Sequence, residues 1–269
     1  MRTINLATAL GCLIIPLFLS QPAAAQDGLA DIKAAGKIKV GTKADYAPFG
    51  FKDASGAIVG LEADLASDVA TRLGVPLELV PVVSANRMEF LRQGKIDLMI
   101  ATMSFQPARD EVVEIIRPFY YASEENVLAP KSAGLKEWKD LAGKPVCGVA
   151  GAYYNADVGA VGGKVVALKD VTEALAALKE GRCIAFANDS TMIGNKLTLP
   201  EWADYEMPLP SQKPEPWGIA VKKGDTKFRD FMSGVITEWH KTGKLLELEK
   251  KWGMKPSPFL VEQQAKAKG

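Results

Sequence analysis

The sequence is nearly without histidine, with His240 the only one among 269 residues. Sites that need several histidines for zinc are excluded, and a Ser-His-Asp relay has one residue to draw on. Cysteine is scarce too: three residues and no CxxC pair leave metal or thiol-redox chemistry without support. Neither sign of charge predominates. Lysine plus arginine number 33 and aspartate plus glutamate 32, so the chain has no basic footprint for nucleic acid. After the first 25 residues no apolar run approaches the length of a membrane span. Apolar residues are nonetheless 48% of the chain, too many for a disordered protein and enough for one large core or two modest ones.

The first 25 residues read as a secretory signal. Arg2 precedes an uncharged run from Leu6 to Leu19, and Gln21-Pro22-Ala23-Ala24-Ala25 sets small residues at the −3 and −1 positions of a cut after Ala25. The run is short for a membrane anchor and Pro16 interrupts it. A lipoprotein reading of Cys12 is weak, because Ala9 stands where leucine is wanted. Cleavage leaves residues 26–269, balanced in charge, in the periplasm. Cys147 and Cys183 remain, each in a short apolar segment. In an oxidising compartment they are expected to pair, with two buried free thiols as the other possibility. A bridge of that loop length stabilises by about 3–4 kcal/mol on the chain-entropy account.

The mature chain alternates strand and helix patterns. Ile38 to Thr42 reads as a strand. Leu61, Leu65, Ala66, Val69, Ala70 and Leu73 share one helical face, which Gly74 ends. Leu77 to Val80 and Leu98 to Ile100 read as strands around a short helix from Met88 to Arg92. The same grammar recurs with strands at Pro145–Val149, Val165–Leu168 and Cys183–Ala187 and a helix from Thr172 to Glu180. Parallel α/β sheets follow, with ligands at the carboxyl ends of the strands. Two such runs predict two lobes: 26–127 with 222–269, and 128–221. Trp217 to Val221 reads as one returning strand, and final helices are expected over 226–241 and 245–252. The chain then crosses twice between lobes, which is hinge architecture. The tail beyond Pro256 is expected to fray, and the charged run Glu247 to Lys251 reads as a solvated helix face.

Several segments in this order carry a resemblance. They are Val40-Gly41-Thr42 with Asp45-Tyr46-Ala47-Pro48-Phe49, Gly60 to Leu65, Gly94 to Leu98, Ala101 to Ser104 with Arg109 five residues on, Pro118 to Tyr121, Gly148 to Gly151, and Asn188-Asp189. The chain resembles the periplasmic solute-binding proteins, family 3, that deliver polar amino acids to ABC importers. The resemblance implies the two-lobed type II periplasmic-binding-protein fold, an α/β fold that closes like a flytrap on one ligand. It also implies an ABC permease partner in the inner membrane, a monomer, and no cofactor or metal.

An amino-acid zwitterion needs a cation for its carboxylate and an anion for its ammonium. The resemblance assigns the first to Arg109, whose planar fork suits a carboxylate, helped by Thr102 and Ser104. A surface pair of Arg109 with Asp110 or Glu111 is the competing reading. Asp189 matches the residue that binds the ammonium, and it would also serve as a helix N-cap. Gly151-Ala152-Tyr153 opens a helix after a strand, where backbone N–H groups suit an anion. The family often has a small hydroxyl residue where Ala152 or Tyr153 stands, so the side-chain contribution is open there. Tyr46 corresponds to an aromatic that packs on the ligand.

Ser84-Ala85-Asn86-Arg87 resembles the segment with which glutamate/aspartate members hold a side-chain carboxylate, and Lys43 falls where those members place another cation. Arg87 at a helix start opposes the macrodipole, so helix stability does not explain it. Pairing with Glu89 or Asp97 would. The second lobe has no histidine to help hold an acidic side chain. Neutral, basic or cystine-like amino acids are alternatives, as is a dehydratase on the same fold using Glu62, Asp64, Asp97, Glu124 or Glu125 as acid or base. The expectation is a non-catalytic receptor. His240, Trp217, Trp252 and Phe119-Tyr120-Tyr121 read as packing residues.

Overall fold

The computed structural model describes residues 27–212 and 214–269. The expected signal segment, with Arg2 and Cys12, lies outside the described residues. Helix α1 (Gly28–Ala35) leads into β1 (Ile38–Thr42) and a small antiparallel set, β2 (Asp45–Tyr46), β3 (Gly50–Lys52) and β4 (Ile58–Val59). There follow α2 (Leu61–Leu73), β5 (Leu77–Pro81), α3 (Arg87–Arg92), β6 (Leu98–Met99), α4 (Pro107–Val112) and β7 (Glu114–Ile115). The chain crosses through β8 (Tyr121–Ser123) and β9 (Glu125–Pro130) to β10 (Pro145–Val149) and α5 (Tyr154–Ala160). Then come β11 (Lys164–Leu168), α6 (Val171–Lys179), β12 (Ala185–Asp189), α7 (Ser190–Lys196) and β13 (Tyr205–Glu206). It returns through β14 (Glu215–Trp217) to β15 (Ala220–Val221), then α8 (Thr226–Thr242), α9 (Lys244–Lys251) and α10 (Pro258–Lys268).

Two five-stranded sheets result, ordered β5-β1-β6-β15-β7 and β11-β10-β12-β9-β13. In the first, β1 runs parallel to both β5 and β6; in the second, β10 runs parallel to both β11 and β12. The remaining pairings are antiparallel. In each sheet the chain therefore reverses its strand order beside the first strand. That switch point opens a crevice at the carboxyl ends of the central strands. The apolar stripe of α2 buries Leu61, Leu65, Ala66, Val69 and Ala70, and Gly74 caps the helix in the left-handed conformation at φ 67°. Cys147 and Cys183 are bridged, 36 residues apart.

Three local expectations change. The returning strand splits: β14 pairs with β8, whereas β15 belongs to the first sheet. Gly218 lies at the break, where a Cβ would sit 2.2 Å from Ile115 Cγ2, so the backbone passes closer than any side chain allows. The tail does not fray: Ser257 caps α10 through Leu260 N at 3.1 Å, and Leu260 is buried in the core. Within the charged run Glu249 is fully buried, accepting from Tyr121 Oη at 2.7 Å and Ser257 N at 3.0 Å. A helix face that packs on the crossover strands is solvated only in part.

Candidate ligand-binding site

Lys43 follows β1, Thr102 follows β6, Gly151 follows β10, and Asp189 ends β12. The four strand ends of the two switch points thus bring together most residues that the sequence singled out. Arg109, on α4, donates from Nη1 to Ser104 O and from Nη2 to Gly151 O, both at 2.9 Å. One guanidinium therefore spans the two sheets. Its competing pairing is not made, because Asp110 faces Arg117 instead, at 3.6 Å. Asp189 occupies the N-cap position of α7 without capping it. Its carboxylate turns into the crevice and accepts from Tyr46 Oη and, at 3.5 Å, from Tyr154 Oη. Tyr46 comes from the first-sheet side and Tyr154 from the second. Both hydroxyls also donate to Asn188 Oδ1, Tyr154 at 3.0 Å.

Arg87 is buried and donates to Ala101 O. The partners it was weighed against are taken: Glu89 pairs with Arg92 at 2.7 Å, and Asp97 accepts from Lys39 N at 2.8 Å. Lys43 is wholly buried, 3.1 Å from Asp45 Oδ1 and beside the Tyr46 ring. The other oxygen of Asp45 accepts Val171 N of the second sheet's α6 at 2.8 Å. Ser84 and Ala85 lie against Gly151, where a Cβ would come within 2.9 Å of Ala85 Cα. With φ at 79°, that glycine allows the two backbones to touch.

The Gly151 turn differs from expectation in one respect. Ala152 N donates to Val149 O at 3.0 Å, so this amide closes the turn and is not offered to an anion. The side chain of Ala152 packs among core residues. Tyr153 packs against Tyr154 with ring centroids 4.7 Å apart and planes tilted by 53°. Tyr154, rather than Tyr153, reaches Asp189. Sequence reasoning passed over Tyr154, and the tyrosine pair after Gly151 was the signal available. It also undervalued Glu62, which is fully buried and accepts from Thr102 N at 2.6 Å and Tyr120 Oη at 2.5 Å.

Burial pushes each charge toward its neutral form. Desolvation holds the Lys43 ammonium below its ordinary value despite Asp45. It lowers Arg87 to about 10, with Arg109 adding repulsion, and it lowers Arg109 as well. Asp189 is pushed up to about 7 by burial, against the opposing hydrogen bond from Tyr46 and the nearby charge of Arg87. Glu125, directly opposite Asp189 in the β9–β12 register, rises to about 9 through burial and then Asp157. Thr42 Oγ1, Glu62 Oε2, Asn188 Nδ2, Asp189 Oδ1 and Tyr153 Oη are buried polar atoms with no hydrogen-bond partner among the described residues, whereas Lys43 Nζ has the Asp45 carboxylate beside it. They suit a small ligand that carries both charges and several donors and acceptors. No group of metal-ligating side chains occurs among the described residues.

Comparison with known proteins bears on this crevice. The description of bacterial extracellular solute-binding proteins, family 3, matches residues 38–255. The chain belongs to that family. Among curated relatives of this solute-binding protein, the ABC transporter glutamine-binding protein GlnH of Bacillus subtilis is 29% identical over 84% of this chain and 85% of its own. The L-glutamate/L-aspartate-binding protein of Pseudomonas aeruginosa is 26% identical over 91% and 87%. Among solved structures, a mutant of ArgBP from T. maritima superposes with a TM-score of 0.79 at 33% identity, covering 84% of this chain and 98% of that one. His240, the lone histidine, is remote in role: its Nε2 lies 2.8 Å from Phe119 O and its ring packs on Phe259.

Proposed function

We propose that this protein is the extracytoplasmic receptor of an ABC importer and holds an amino acid between two closing lobes, without transforming it. The observation that carries the reading is the opposition of Arg109 and Asp189. Arg109, on α4, reaches across to Gly151 O at 2.9 Å, Asp189 ends β12 on the opposite side, and the two match the two charges of a zwitterion. The lobes would swing on the β8–β14 crossover, which moves the expected boundaries at 127 and 221 back to the crossover strands, because β9 (Glu125–Pro130) pairs within the second sheet and β15 (Ala220–Val221) within the first. Arg109, Thr102 and Ser104 take the carboxylate first. Asp189 then takes the ammonium, with Tyr46 and Tyr154 giving up part of their hold on it. Contacts present only in the closed state shift the population toward closure by their differential affinity. The permease recognises the closed shape.

The ligand of this reading is glutamate or aspartate. Lys43 and Arg87 are both buried in the crevice, and desolvation disfavours both charges. An anionic side chain would offset that cost for each. The names of relatives span glutamine, glutamate/aspartate and arginine, so the test is a thermal-shift panel of the standard amino acids followed by calorimetry. Glutamate or aspartate should give the largest shift. A response to neutral or basic amino acids alone would reject the acidic assignment, and an Arg109→Ala variant of unchanged affinity would reject the site.

A further inference from the structure

We propose that Glu62 is a positioning residue: its carboxylate holds Thr102 in a left-handed backbone conformation, and so presents the Thr102–Ser104 segment to the ligand beside Arg109. Thr102 has φ of 44° and is the single non-glycine residue with positive φ among the described residues. For a β-branched residue that conformation is costly and persists only where the surroundings impose it. Thr102 N donates to Glu62 Oε1 at 2.6 Å, a short charge-assisted bond inside the core. Tyr120 Oη donates to the same oxygen at 2.5 Å, and Tyr120 N donates to Trp217 O at 3.1 Å, so the acceptor is tied to the crossover. At the far end of the segment Ser104 bridges to Trp217, and Ser104 O receives Arg109 Nη1 at 2.9 Å. A continuous path therefore runs from Glu62 through Thr102 and Ser104 to Arg109.

Helix formation does not account for Glu62. An acidic residue in the first turn of α2 would favour the helix dipole equally well from solvent. Here the side chain is fully buried, at a desolvation cost that only specific partners offset. The charged and titratable groups that face it are Tyr120, Arg87 and Lys43.

The proposal rests on the amino-acid reading for its effect on affinity and stands apart from it for its effect on Thr102. The test uses the full mature chain with Glu62→Gln and Glu62→Ala, each also made on a Thr102→Gly background. Two readouts are taken: the Thr102 amide resonance by NMR and glutamate affinity by calorimetry. Loss of the carboxylate in Glu62→Ala should move the Thr102 amide resonance strongly upfield and weaken glutamate binding about tenfold or more. Glu62→Gln keeps an acceptor oxygen and should fall between. On the Thr102→Gly background the same Glu62 substitutions should weaken binding only a few-fold, because glycine adopts the left-handed region without strain. An unmoved resonance in Glu62→Gln and Glu62→Ala, or an equal loss of affinity on both backgrounds, would overturn the proposal. If the wild-type chain takes no amino acid, the functional reading fails while the Thr102 resonance still decides the role of Glu62.

Discussion

On the wall of the crevice that follows β1 and β6, the buried groups whose charge desolvation opposes include the cations Lys43, Arg87 and Arg109. On the wall that follows β10 and β12 they are the carboxyls of Asp189, which accepts from Tyr154, and of Glu125 opposite it in register. The strand plan is the same on both sides; the charge is opposite. Burial works against each set separately, lowering the cations and raising the acids. The first wall also contains carboxylates: Glu62 holds Thr102 N, and Asp45 holds Val171 N with one oxygen while the other lies 3.1 Å from Lys43 Nζ. The difference teaches that burial opposes charges of opposite sign on the two walls, which under the proposed function a zwitterion between them would relieve at once.

The largest effect should come from removing the cation that reaches both walls. Arg109→Ala is expected to weaken amino-acid binding about a hundredfold or more in calorimetry, because it leaves the ligand carboxylate without its fork. Binding within a few-fold of wild type would break the contrast between the walls. Asp189→Asn probes the other side and should weaken binding by about thirtyfold or more. It should also raise the melting temperature of the ligand-free protein at pH 8. The sign follows from linkage. A carboxyl that titrates near 3.8 when unfolded and at about 7 when folded binds more protons in the folded state across that window. Its ionisation therefore lowers stability progressively as pH rises from about 4 through 7, and that loss is complete above it. The asparagine variant should lack this slope, and a melting profile of unchanged pH dependence would show that Asp189 is not the group responsible.

Smaller changes sharpen the comparison. Lys43→Met keeps the buried stem and removes the ammonium, and should cost about tenfold in affinity for glutamate while sparing a neutral competitor such as glutamine. Equal loss for both would assign Lys43 to holding Asp45 and the second sheet rather than to the ligand side chain. Tyr46→Phe removes the hydroxyl that crosses to Asp189 and Asn188, and is expected to change affinity by only a few-fold, since Tyr154 still reaches the same oxygens. Small-angle scattering should report a shift toward open forms in this variant without ligand. An unshifted distribution would mean that the tyrosine contributes nothing to closure.

Much of this was legible in the order of residues. Short apolar runs marked β1 and β10, one helical face ended by Gly74 marked α2, and the resemblance carried by Ala101 to Ser104 with Arg109 and by Asn188-Asp189 named the central charges before any contact was known. The less legible features depend on residues far apart in the chain. Whether Asp189 caps α7 or faces the crevice is undetermined locally, since aspartate does either; Tyr46, 143 positions away, draws it inward. Glu62 reads as an ordinary first-turn acid until Tyr120 and Thr102 close over it. Tyr153 and Tyr154 are indistinguishable in pattern, and the start of α5 decides which hydroxyl reaches Asp189.

Composition and periodicity were thus sufficient for the class of fold, the repeated strand plan and the absence of a multi-histidine centre, because backbone propensity and the burial of one face act over a few neighbouring residues. The tertiary structure alone decided which charges are buried together, which carboxylates hold amides and which turn into the crevice. Desolvation and pairing depend on what packs from the opposite sheet, and no local stretch of this chain contains both walls of its crevice.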